Sequence, residues 1–356
     1  MRKYLLPEAG CPYKANLHSH SKLSDGRLTV EEMKAEYKQR GYSIVAFSDH
    51  DALHGHPELC DDEFVAITSY EISVRSDDVA IPHAYRKVVD LNLFAKDPHN
   101  NVQIGYHPET VEWLVQRGKL SEAERDAIRY APPLRDCHYY PANINRIIKS
   151  ANENGWLVAI NHPMWSLMNW NDYAQFEGAW AVEVYNHGCA VLSGETDSET
   201  VYEDILRTGK RIFATATDDN HNSYPLSETR RCDSFGGWIM VGAKALDYAS
   251  VMAALEAGDF YASTGPEIKA LYVEDGCLCI ETSEAAEICL NTLGRRGARA
   301  ANDDGSPVTS ARFKLDDALY GYVRLRVVDM RGKKAWTNPY YLDEISDTGE
   351  YHRIVF

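Results

Sequence analysis

Over its first 265 residues the chain alternates short apolar runs with helical patterns, and this alternation restricts the fold more than any other feature. Candidate strands read at Ala15–His20, Ser43–His50, Phe64–Ile72, Lys87–Ala95, Trp156–Asn161, Trp180–Tyr185 and Arg211–Ala216. Between them lie helices with recognisable ends. Thr29-Val30-Glu31-Glu32 is a capping box that opens a helix stopped by Gly41. Pro141 and Gly155 bracket a second helix over Asn143–Asn154, and Tyr248–Ala257 is a third, ended by Gly258. Strands separated by helices imply a parallel sheet, and seven of them suit an α/β barrel. The segment 97–141 fits poorly as a crossover and predicts an insertion near the barrel mouth.

The texture changes after Ser263-Thr264-Gly265-Pro266. Alternating runs at Leu271–Val273, Cys277–Glu281, Glu287–Leu290, Arg312–Leu315 and Tyr322–Val328 are separated by turn signals such as Asp275-Gly276 and Asp303-Asp304-Gly305. This pattern predicts a small antiparallel β-sandwich of the immunoglobulin-like kind. The expected division is therefore residues 1–265 for the barrel and 266–356 for the β domain.

Composition narrows the partners. Asp and Glu number 53 against 37 Lys and Arg, a net charge of −16, which argues against nucleic acid or an anionic membrane held by general electrostatics. A phosphorylated small molecule stays compatible, because bound divalent ions reverse the local sign. The N-terminal residues lack an apolar core of signal-peptide length, and no run approaches a membrane span. The eight cysteines form no Cys-x-x-Cys pair, which fits reduced thiols and a cytoplasmic setting. Oligomeric state is not legible.

Twelve of the 13 histidines precede residue 222, and several fall where candidate strands end. In a strand, His18 and His20 project to one face, so both imidazoles can address one ion. Ser24-Asp25-Gly26 follows that strand, Ser48-Asp49-His50-Asp51 ends the second and Glu71 the third, Asn161-His162-Pro163 ends the fifth, and Asp219-Asn220-His221 follows the seventh. In an α/β barrel all these positions share the C-terminal face, where active sites lie. A structural explanation must treat each polar strand end separately, whereas one metal centre accounts for all of them.

This ordered set resembles the PHP (polymerase and histidinol phosphatase) superfamily over about residues 13 to 265. The stretch from Phe235 to Ile268, with Phe260-Tyr261-Ala262-Ser263-Thr264-Gly265-Pro266, resembles bacterial two-domain members with a C-terminal β domain. The resemblance implies a distorted (β/α)7 barrel holding two or three divalent ions and hydrolysing phosphoesters. It implies that His18, His20 and Asp219 bind a first ion, that Glu71 bridges to a second helped by His162, and that Asp25, His50 and His221 hold a third. Such ligands suit Zn, Mn or Fe. The family offers a further histidine on the fourth strand; here Asp90 stands at that place, with His83 as the alternative.

The chemistry implied is attack by metal-activated hydroxide, with Asp51 or Asp219 orienting water or accepting protons. Asn186 and His187 end the sixth strand and face the expected mouth. Arg135, Arg230 and Arg231 are candidate phosphate clamps, and Trp165, Trp170 and Tyr173 are candidate pocket walls. The expected activity is a metal-dependent phosphatase acting on a small phosphorylated metabolite, such as a nucleotide or a histidinol-phosphate-like monoester. The rivals are a phosphodiesterase or exonuclease on nucleic acid, a non-catalytic metal-binding module, and a metal-dependent amide hydrolase.

Overall fold

The computed structural model of the protein describes residues 2–76, 80–106, 108–134, 139–195, 197–316 and 319–345. Each of the seven expected strands is present, with shifted ends: β1 (Tyr13–Asn16), β2 (Tyr42–Phe47), β3 (Val65–Arg75), β4 (Val88–Ala95), β5 (Trp156–Ile160), β6 (Ala181–Asn186) and β7 (Phe213–Thr217). Two more follow, β8 (Trp238–Val241) and β9 (Phe260–Ser263). They lie side by side in the order β7-β6-β5-β4-β3-β2-β1-β8-β9 within one 14-stranded sheet.

The expected α/β class is present, but the row is not a regular series of parallel β/α units. Strands β1, β2 and β3 pair parallel, as do β5, β6 and β7. Strand β4 runs antiparallel to both β3 and β5. The link between β3 and β4 explains the first reversal: its described part holds only the 3-10 turn His83–Tyr85, and a parallel return needs a longer crossover, usually a helix. One parallel bridge, Ser19 to Asn220, joins the two ends of the row β1 to β7.

The helices cover this sheet as their sequences dictate. Thr29 caps the helix Val30–Gln39 through the full capping box with Glu32. The helix Pro141–Glu153 buries Ile144, Ile147, Ile148 and Ala151, a single stripe at helical spacing. The expected insertion is a small unit of its own, with strands Val102–Tyr106 and Arg129–Leu134 paired in parallel. It leans on the loops beyond β1 and β2: Lys119 Nζ donates to the carbonyls of Leu23 (3.0 Å) and Ser24 (2.8 Å), and Gln103 Nε2 donates to that of Asp51 (2.8 Å).

The C-terminal strands are antiparallel, as expected, and enclose a second core that includes Leu271, Leu278, Ile280, Val323 and Leu325. Two features were not anticipated. The N-terminal strand Lys3–Tyr4 pairs with Ile268–Glu274 of this region, and strand Lys334–Thr337 pairs with β9, so the large sheet continues into the C-terminal part.

A buried ion pair fastens the two parts. Arg324 is fully buried; its Nε donates to Glu203 and its Nη2 to Glu199, each at 2.6 Å, and both acids sit on the helix Glu199–Arg207. Tyr322 adds a hydroxyl to Glu203 at 2.8 Å. Burial raises the pKa of the Glu199 carboxyl, but Arg324 and Arg326 outweigh it and hold the group below its ordinary value. Removing the guanidinium takes the buried cation from Glu203 and leaves Glu199 with Arg326 at 3.2 Å, so Arg324→Met is expected to cost about 3–5 kcal/mol, read as a lower urea midpoint. The folded Glu199 pKa lies below the unfolded one, so this stabilisation is present above roughly pH 4.5 and is lost as pH falls through the folded value. The gap between wild type and variant is expected to narrow on acidification over that range.

Candidate metal centre

The site is built where backbone pairing runs past the ends of the regular strands. Asp219 N–H donates to the His18 carbonyl at 2.9 Å, and His20 N–H donates to the Asn220 carbonyl at 3.0 Å. This interlock sets His18 and His20 against Asp219 and His221. Likewise Asp51 N–H donates to the Glu71 carbonyl and Glu71 N–H to that of Asp49, while a bridge pairs His50 with Glu71. Asp51, His162 and Asp219 all adopt positive φ, a strained conformation that surrounding contacts must hold.

Three groups of side chains converge closely enough to hold a metal ion: His18, His20 and Asp219; His18, Glu71 and His162; and His20, Asp25, His50 and His221. Glu71 is 1% exposed and joins them. Its oxygens lie 3.4 Å from His18 Nε2, 3.5 Å from His20 Nε2, 2.9 Å from His50 Nδ1 and 3.5 Å from His162 Nε2. Asp219 Oδ1 lies 3.2 Å from His18 Nε2 and 3.1 Å from His20 Nε2. Asp25 approaches His50 at 3.7 Å and His221 at 3.4 Å.

The donor set asks for cations. His18 and His20 face each other through their Nε2 atoms at 3.1 Å, and the buried His20 Nδ1 has no hydrogen-bond partner. Burial and the neighbouring His221 and His50 push the His20 pKa down to about 4. Burial also lowers His50, His162 and His221, yet adjacent carboxylates outweigh it and raise them to about 10, 9 and 9. Burial opposes ionisation of Asp219, but His18, His20 and His221 hold its carboxyl well below the usual range. Positive charge is favoured among these acids, and divalent ions would supply it in place of protons on the imidazoles.

A further shell fixes the ligands. Glu183, buried on β6, accepts from His18 Nδ1 (2.7 Å), Thr217 Oγ1 (2.6 Å), the His162 N–H (2.7 Å) and Asn186 Nδ2 (3.0 Å). This leaves His18 Nε2 facing the cluster. Asp49 accepts from the N–H and hydroxyl groups of both Ser21 and Ser24, which holds the loop carrying Asp25. Gly26 is needed in that loop because a Cβ would lie 2.1 Å from the His20 carbonyl oxygen. Asp218 receives the Tyr37 hydroxyl and the N–H groups of Phe235, Gly236 and Gly237, tying down the far side of the Asp219 loop.

The cluster forms one end of a cavity of about 740 Å³. His18, His20, Asp25, His50, Glu71, His162, Asp219 and His221 are brought together as the sequence predicts. Asp90 is buried beside them, its Oδ2 4.0 Å from His162 Nε2, outside the three groups. Burial, with the charge of Glu71, raises its pKa to about 6. The His83 side chain and Arg135 lie outside the described residues.

Other candidates serve elsewhere. The Asp51 carboxylate accepts from the Ser73 N–H at 3.2 Å, pinning β3, and does not line the cavity. Asn186 reaches Glu183 and Asp219 (3.1 Å), so it positions ligands. His187 bonds the Tyr185 hydroxyl at 2.9 Å and packs against Gly236, apart from the cluster. Arg231 pairs with Glu228 and stacks on Tyr224, and Arg230 is exposed; neither lines the cavity. Tyr173 is core, whereas Trp165 is half-exposed on the cavity wall, edge-on to His162. Sequence reasoning missed Glu183, whose only signal is a carboxylate in an apolar strand, and the cavity cations Arg75, Arg86 and Lys87.

Residues 16–104 match the family model of the PHP domain, which bears out the resemblance over that segment. No curated protein matches the chain. Among solved structures, a two-domain protein from Bacteroides vulgatus containing a predicted PHP-like metal-dependent phosphoesterase is 14% identical, with 95% of this chain and 98% of that one covered and a TM-score of 0.42. A predicted metal-dependent phosphoesterase from Bifidobacterium adolescentis is 18% identical, with 59% and 89% covered and a TM-score of 0.38. An amidohydrolase from Chromobacterium violaceum with bound sulfate is 17% identical, with 60% and 89% covered and the same TM-score of 0.38. Similarity at this level says nothing about chemistry, which rests on the side chains themselves. No helix among the described residues is long and apolar enough to cross a membrane.

Glu183 holds His18 and the His162 backbone in place. Glu183→Ala is expected to weaken metal binding about 10–100-fold without unfolding the chain, as measured by Zn or Mn titration alongside circular dichroism.

Proposed function

We propose that the protein is a metal-dependent phosphoesterase that hydrolyses a small phosphate monoester, such as a nucleotide or a histidinol-phosphate-like compound. The observation that carries this reading is the convergence of imidazoles and carboxylates on Glu71 at the end of a cavity large enough for a metabolite. The PHP match over residues 16–104 supports it. Two or three divalent ions, Zn, Mn or Fe, would be held by His18, His20 and Asp219, by Glu71 and His162 with Asp90 nearby, and by Asp25, His50 and His221. When bound, such ions supply hydroxide near neutral pH and offset charge on a phosphate.

The chain's own groups then have defined roles. Glu183 and Asn186 keep His18 and Asp219 oriented, and Asp49 keeps the Asp25 loop in place. Water supplies the new P–O bond, the ester P–O bond breaks, and the leaving alcohol takes up a proton. The same reading includes a distorted seven-strand barrel, supported by the Ser19–Asn220 bridge, and a division near residue 265, supported by a second core drawn mostly from residues after it. Free thiols among the described residues support a cytoplasmic setting. The acidic charge weighs against nucleic acid as substrate.

Chelation is expected to abolish hydrolysis of p-nitrophenyl phosphate, and Mn or Zn to restore it. His20→Ala and Asp219→Ala are each expected to abolish turnover while the C-terminal core stays folded. Metal-replete protein that hydrolyses no phosphate ester, or either variant retaining wild-type rates, overturns this reading.

A further inference from the structure

The cavity has a second charged wall that the hydrolytic centre does not use. Arg75, Arg86 and Lys87 all line it, and every acid lining it among the described residues, Asp25, Glu71, Asp90 and Asp219, belongs to or adjoins the metal cluster. Two of these cations have other duties. Lys87 is paired with the buried Asp172, and Arg86 Nε donates to the Ile81 carbonyl at 2.7 Å. Arg75 is exposed at the end of β3.

Strand geometry fixes the relation of this wall to the cluster. Side chains two apart share a face, and Glu71, Ser73 and Arg75 all line the cavity in that period. Their neighbours on β4 follow suit: Ser73 pairs with Asp90 and Arg75 with Val88, and both partners line the cavity. The strand is therefore a ruler. Arg75 stands four residues beyond the bridging carboxylate, about 13 Å from Glu71 between Cα atoms. At that spacing on one face, Arg75 is placed to meet a group further along the cavity than one held at the cluster. The cavity lining also has an apolar part, with Trp165, Leu167 and Leu192 each about half exposed on it.

We infer that the substrate carries a second anionic group, separated from the scissile phosphate by an apolar body, and that Arg75 receives that group. This rests on the phosphoesterase reading for the identity of the first group. Arg75 is a specificity residue here: it binds a remote part of the substrate and leaves the reacting atoms to the cluster.

The test compares hexyl phosphate with 1,6-hexanediol bisphosphate on metal-loaded protein. Hydrolysis is followed by phosphate release, and binding independently by tryptophan fluorescence. The wild type is expected to favour the bisphosphate about tenfold or more in kcat/KM and in Kd, the effect of a charge-assisted hydrogen bond. In Arg75→Gln the ratio should fall toward one, with Arg75→Lys restoring part of it. Equal binding of the two esters by wild type, or a preference that survives Arg75→Gln, overturns the inference. Failure to hydrolyse either ester, with an Arg75-dependent binding preference intact, overturns the phosphoesterase reading instead and leaves the anion site standing.

Discussion

The negative charge of Glu71 is the constraint around which the site is organised. An ionised carboxylate that is 1% exposed carries a desolvation cost of several kcal/mol unless it is compensated. Compensation arrives from four histidines on three segments, whose nitrogens lie 2.9 to 3.5 Å from its oxygens, and from Asn161 Nδ2 at 2.6 Å. Each of those groups in turn needs support. Glu183 supports His18, the Ser166 hydroxyl supports His162, and Asp25 lies beside His50 and His221. The polar interior is therefore one connected network, and the strained turns at Asp51, His162 and Asp219 are held by it.

Much of this was legible in the sequence because metal ligands obey spacing rules. His18-x-His20 and Asp219-x-His221 place their members on common faces, and strand ends collect them on one side of the sheet. The Thr29 capping box and the helix Tyr248–Ala257 were equally plain, since local chemistry sets helix ends. Supporting residues were not legible. Glu183 and Asp218 are polar residues in or beside apolar strands, and nothing local tells which partner will satisfy them. Asn186 and His187 illustrate the same limit: a strand-end position gives proximity to the mouth, while direction depends on the turn that follows.

Strand direction and sheet continuity were hidden for a related reason. Apolar alternation has the same period in either direction, so β4 reads alike whether parallel or antiparallel. The joining of Lys334–Thr337 to β9 and of Lys3–Tyr4 to Val273 and Tyr272 depends on contacts between segments distant in sequence. The buried Arg324 pair belongs here too. An arginine inside an alternating strand reads as solvent-facing until the helix Glu199–Arg207 is laid against it.

The Ser19–Asn220 interlock has a consequence for the order in which the molecule is made. His20 and Asp219 are 199 residues apart, and backbone bonds between the two segments that carry them help to bring them together. A chain emerging from the ribosome holds His18, His20, His50 and Glu71 long before Asp219 and His221 exist. Through that interval the early strands carry imidazoles and a carboxylate of the cluster without the groups that complete it. Closure of the last loop is thus the step that turns a loose collection of ligands into a single site, and it comes late in synthesis.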